Sequence, residues 1–259
     1  MQKRLVFLPF LVLSMCLGIN VFPGAVDAQD AGITSGSRED MISALQKSVV
    51  LIGQARKSAE GGRLVLQHTL GTGFLVDGEY TVATVRSRFT KYVDRGRLVV
   101  KFRSPSGGDG FQILPAGILY EFPDKDLAFL RVEGSPAEMA GLSRLEVIRD
   151  VAEIGSLVGE TVMIAGYPRL GDFNRDHPVL RRGMISSTDF RMAGSPIILL
   201  ELLEIPGFSG APVIVQDTGH VIGIIPGPEF AKGSDGFQWA VPVTEADYRR
   251  AINARSPSQ

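Results

Sequence analysis

The chain has 259 residues, 44% of them hydrophobic and 21% charged, with a formal net charge of −1. That is ordinary globular composition, and without a basic excess it excludes a footprint for nucleic acid or for an anionic membrane surface. Cys16 is the only cysteine, which excludes a disulfide framework and a thiolate metal site.

The N-terminus reads as an export signal. Lys3 and Arg4 precede an apolar run from Leu5 to Leu17, and the small-residue site Val26-Asp27-Ala28 fits cleavage after Ala28. An uncleaved anchor is the alternative, but Pro9, Ser14, Gly18 and Asn20 interrupt a span that needs about 20 apolar residues. A lipidated Cys16 fits less well, with Met15 before it and apolar residues continuing beyond. The predicted organisation is therefore a signal peptide over 1–28, an N-terminal segment over 29–46, a single folded domain over 47–245, and a C-terminal helix and tail over 246–259. An exported protein without cysteine must rely on its apolar core, which suits the bacterial periplasm or the extracellular space.

A helix start is predicted over Ser35–Gln46, from Ser37 followed by Glu39 and Asp40. Short β-branched and aromatic runs then follow at Val49–Ile52, Arg63–Gln67, Gly71–Val76, Tyr80–Val85, Arg97–Phe102, Phe111–Leu119 and Leu127–Val132. Pro136–Leu142 suggests a helical turn and Gly155–Glu160 a loop. A second set of strands is expected at Thr161–Ala165, Val179–Ile185, Ile197–Leu203, Val213–Val215, His220–Ile225 and Phe237–Val241, then a helix over Ala246–Ala254. The pattern is all-β, with little helical periodicity. Strand counting by itself leaves barrel and sandwich open.

The stretch Pro206-Gly207-Phe208-Ser209-Gly210-Ala211-Pro212 lies between two apolar runs. Glycines on both sides of Ser209 permit a turn that presents the hydroxyl outward, with the amides of Gly207 and Ser209 able to converge as an oxyanion hole requires. The plainer reading is a tight turn that contains a serine.

This stretch resembles the nucleophile loop of the chymotrypsin-like serine proteases, and most closely that of bacterial HtrA-type peptidases. Phe208 departs from the Asn frequent there. Further pieces fall in the family's order. Gly71-Thr72-Gly73-Phe74 resembles its Gly-Ser-Gly-Phe strand, and Val82 to Arg88 falls on Val-Thr-Ala-x-His-Val. Asp126-Leu127-Ala128-Phe129-Leu130 falls on Asp-Leu-Ala-x-Leu. Gly166-Tyr167-Pro168, Gly219 to Ile224 and Phe237 to Pro242 match pieces of the second half. The resemblance implies two antiparallel six-stranded β-barrels, about 47–133 and 156–245, with short N-terminal and C-terminal helices. The stretch after Val243 is too short for the PDZ domain that HtrA-type proteins often carry.

The resemblance assigns Ser209 as nucleophile, Asp126 as triad acid and Gly207 as oxyanion donor. The base position falls on Ser87, or with a slip of one residue on Arg86 or Arg88. A serine hydroxyl is not basic and arginine stays protonated, so neither takes the nucleophile's proton. Other sources are His68, His177 and His220, which read as strand-edge, loop and turn residues, and Lys91, which reads as a surface residue. Without an imidazole, Asp126 is expected to find donors in the Ser87 hydroxyl, in backbone amides, or in the guanidinium of Arg86 or Arg88. Leu203 falls at the base of the family's substrate pocket beside Leu202 and Ile205, which implies small or medium apolar side chains; the plainer reading is strand core.

The expected function is an exported protease homologue with an incomplete triad, a pseudoprotease that binds peptide or an unfolded protein segment. Two alternatives stay open: an active endopeptidase with another base, and a structural envelope domain. No cofactor is implied, and no residue cluster has metal-ligand spacing.

Overall fold

The structure is a computed structural model. It describes residues 38–59, 61–76, 80–89, 96–104, 110–139, 141–169, 177–192, 194–204, 206–228 and 236–254. The export signal, Lys91 and Ile205 lie outside the described residues.

Helix α1 (Arg38–Ser48) leads into β1 (Val49–Lys57), β2 (Leu64–Leu75), β3 (Thr81–Val85), β4 (Arg97–Arg103), β5 (Phe111–Phe122) and β6 (Leu127–Val132). After α2 (Pro136–Met139) come β7 (Thr161–Gly166), β8 (Val179–Met192), β9 (Ser195–Glu201), β10 (Pro212–Val215), β11 (Val221–Ile224), β12 (Phe237–Pro242) and α3 (Glu245–Asn253). The strands close into two antiparallel barrels, in the orders β1-β2-β3-β6-β5-β4 and β10-β11-β12-β9-β8-β7. The all-β, two-barrel expectation holds.

Strand ends depart from the sequence reading at several places. The runs Arg63–Gln67 and Gly71–Val76 are one strand, β2, because shifts of register against β1 at Ile52/Gly53 and Gln54/Ala55 bend it without ending it. Strand β8 runs past Ile185 to Met192 through two further shifts against β9. Strand β9 stops at Glu201, short of Leu203. Gly155 belongs to a 3-10 turn, Val151–Leu157, whose start is closed by a reciprocal Asp150–Glu153 cap.

Each barrel has its own apolar interior. A third cluster lies where the barrels meet. Phe74, Val85, Leu127 and Phe129 of the first barrel join Ala165, Tyr167, Ile224 and Val241 of the second there, all buried. This shared core sets the turn after β3, the start of β6 and the loop before β10 against one another.

Candidate functional site

Ser209 lies in the loop between β9 and β10 and is 6% exposed. Gly207 and Gly210 have φ of 101° and 89°, angles that glycine adopts without a steric penalty. Neither position has room for a side chain. A Cβ at Gly207 would lie 2.5 Å from Tyr167 O, and one at Gly210 would run into Thr72 O. Phe208 turns inward, 3% exposed, into the second barrel's core. Gly166 leaves the space for its ring, since a Cβ there would sit 3.1 Å from it.

Thr72 of β2 ties this loop to the first barrel. Its amide donates to Ser209 O (2.8 Å), and its hydroxyl donates to Gly207 O (3.2 Å) while accepting from Tyr167 N (3.0 Å). Thr84 Oγ1 donates to Thr72 O (2.7 Å). Among the described residues, no hydrogen bond uses the amides of Gly207 or Ser209.

Asp126 follows the 3-10 turn Pro123–Lys125 in a left-handed conformation, φ 52°, which Asp tolerates better than most residues. Its side chain is buried, at 2% exposure. Oδ1 accepts from Ser87 N at 2.7 Å, and Oδ2 accepts from Ser87 Oγ at 2.9 Å and from Gly227 N at 3.0 Å. Three donors compensate the desolvation of a buried carboxylate. Gly227 can come this close because it lacks a Cβ, which would collide with Ser87 Oγ.

Of the donors expected for Asp126, the hydroxyl and the amides are used and the guanidinium is not. Arg86 Nε lies 3.3 Å from Glu121 Oε1. Arg88 reaches the other way and donates from a terminal nitrogen to Ser209 Oγ at 3.1 Å. Asp126 and Ser209 are thus linked through two consecutive residues, Ser87 holding the acid and Arg88 holding the serine.

The three histidines have other surroundings. His68 is exposed on β2 opposite Gln54, His177 meets the Phe111 ring edge-on at 6.4 Å, and His220 lies 3.5 Å from Glu146. Among the described hydrogen bonds, none joins a histidine to Ser209 or Asp126. No group suited to a metal ion occurs among the described residues.

The reading of Leu203 as strand core is corrected. Because β9 ends at Glu201, Leu203 lies beyond the sheet and is 63% exposed. With Leu202, Phe208, Ile225 and Gln238 it bounds a cavity of only about 10 Å³, which offers no open apolar pocket. Three contributors to the site escape a reading of the sequence. Thr72 is visible there only as part of a strand motif. Gly227 is signalled only by its place between Pro226 and Pro228, and Arg88 reads as a partner of Asp126 rather than of Ser209.

A family model described as trypsin-like peptidase domain matches residues 71–224, from β2 through β11. A protein of Sinorhizobium fredii described as uncharacterized protein y4bJ is 28% identical over 161 residues; the match covers 60% of this chain and 21% of that much longer relative. Among solved structures, one described as HtrA-type protease AlgW with decapeptide is similar in fold, with a TM-score of 0.59 at 20% identity; the match covers 84% of this chain and 66% of the other. Together with the two barrels and the order of the motifs along them, the matched family model establishes that the chain belongs to the trypsin-like peptidase domain family.

Proposed function

We propose that this protein is an exported member of the family that has lost peptide hydrolysis and binds a peptide or an unfolded protein segment. The observation that carries the reading is the pairing of Ser87 with Asp126. The acid's oxygens are taken up by a hydroxyl and two amides, none of which is a base for the proton of Ser209. Arg88 lies on Ser209 Oγ instead. A guanidinium stabilises negative charge on that oxygen but accepts no proton, because it is already fully protonated. Removing the histidine from a serine triad costs on the order of 10⁶ in turnover.

Fluorophosphonate labelling and casein hydrolysis test this reading, with Ser209→Ala as control. Wild type is expected to show neither activity above the control. Casein hydrolysis that Ser209→Ala abolishes would reveal a base elsewhere in the chain and overturn the proposal. The exported location rests on Lys3, Arg4, the apolar run and Ala28.

A further inference from the structure

Four consecutive carbonyls of the Ser209 loop are engaged within the protein. Pro206 O accepts from Arg169 N (2.7 Å), Phe208 O from Ala211 N (2.8 Å) and Ser209 O from Thr72 N (2.8 Å). Gly207 O accepts from Thr72 Oγ1 (3.2 Å). The amides of Gly207 and Ser209 are in the opposite state. Both residues are buried, and no hydrogen bond among the described residues uses either N–H. Buried amides seldom go without an acceptor. Amides left over in a turn whose carbonyls are all tied down favour an anion.

Arg88 adds a permanent positive charge at the same place, 3.1 Å from Ser209 Oγ. A fixed cation beside the serine suits a ligand whose negative charge is also permanent, and a guanidinium suits a carboxylate.

The adjoining main chain decides how a peptide meets this site. Ile225–Pro228 borders the loop, through Gly210 N to Ile225 O (2.7 Å) and Ile225 N to Ala211 O (2.9 Å). It has no donor left. Pro226 and Pro228 carry no N–H, and Gly227 N is used by Asp126. Adding a strand to an edge relies on main-chain hydrogen bonds from that edge, whereas capture of a chain end does not. The cavity of about 10 Å³ beside Phe208 and Leu202 leaves no room for a large terminal side chain.

We propose that Arg88, the Ser209 hydroxyl and the amides of Gly207 and Ser209 form a receptor for the C-terminal carboxylate of a peptide ending in a small residue. This rests on the peptide-binding reading above and names its ligand class.

The test titrates the full chain, at fixed ionic strength, with three tetrapeptides: acetylated tetra-alanine as the free acid, the same peptide as its C-terminal amide, and an amide whose last residue is aspartate. The free acid is expected to bind about tenfold or more tighter than either amide. Arg88→Gln is expected to erase that difference, and Arg88→Lys to keep part of it. The acid-against-amide comparison needs only wild type, so it stands even where a variant folds poorly. Equal binding of the acid and the alanine amide overturns the carboxylate receptor while peptide binding survives. Equal binding of the aspartyl amide overturns the assignment to a chain terminus. If no peptide binds, acetate is titrated by amide NMR. Acetate shifts at Gly207 and Ser209 that Arg88→Gln removes keep the carboxylate site and overturn the peptide reading; no shift overturns both.

Discussion

At Ser87 a hydroxyl stands where the family resemblance expects an imidazole, and its loss should be felt mostly by Asp126. Ser87→Ala removes one of the donors to that buried carboxylate and leaves the amides of Ser87 and Gly227 in place. The expected cost is about 1–2 kcal/mol, seen as a fall of roughly 2–8 °C in Tm. An unchanged Tm would show that water replaces the hydroxyl without loss. Ser87→His alone is expected to gain little, because Arg88 still lies on Ser209 Oγ. Ser87→His with Arg88→Val frees the serine for the imidazole, and Ser209-dependent fluorophosphonate labelling should rise by roughly 10²-fold or more. A double variant no more reactive than wild type would mean that the site has diverged beyond these two positions.

Two elements hold the site in shape. Strand β2 does so through Thr72, whose hydroxyl serves Gly207 O and Tyr167 N together. Thr72→Val keeps the shape and orphans both groups, so it should cost about 1–3 kcal/mol in urea unfolding. Thr72→Ser should recover most of that. Helix α3 works through Asp247, which is 7% exposed. Its Oδ2 accepts from Thr244 N (3.1 Å) and Thr244 Oγ1 (3.0 Å), closing the helix's first turn. Its Oδ1 meets Lys125 Nζ at 2.6 Å, and Lys125 immediately precedes Asp126. The helix therefore braces the turn that presents the acid. Asp247→Ala loses the cap and the ion pair together, an expected cost of about 2 kcal/mol after allowing for the part-exposed lysine. Asp247→Asn keeps the capping oxygen and should lose clearly less in the same measurement.

For the whole molecule, the cluster between the barrels makes them one thermodynamic unit. Residues such as Phe129 and Ile224 would be exposed if either barrel unfolded by itself. A single cooperative transition is expected. Trp239, the chain's one tryptophan, sits on β12 and reports the second barrel, whereas far-UV circular dichroism reports both. Their denaturation midpoints should coincide, and a Trp239 signal lost ahead of the dichroism would show that the barrels unfold separately. Mass spectrometry of the mature protein is expected to find a chain starting after Ala28, as the proposed export and cleavage require; a protein that retains Met1 would refute that joint proposal.

The all-β class was legible in the sequence because short β-branched runs and turn residues are local features, each readable from a few neighbouring side chains; the two barrels were legible only through the family resemblance that the ordered motifs carry. The absence of an imidazole at Ser87 was legible for the same reason. That Asp126 would need donors followed from the cost of burying a charge, but which donors it found did not. Register shifts joined two predicted strands into β2 and carried β8 to Met192, since a bulge depends on the partner strand as much as on the strand itself. The end of β9 put Leu203 outside the sheet. The side chain of Arg88, read from the sequence as a donor for Asp126, is directed to the serine instead. Only the tertiary structure decided these points, because Ser87, Arg88, Asp126, Ser209 and Gly227 come together through strand pairings and a shared core between residues far apart in the chain.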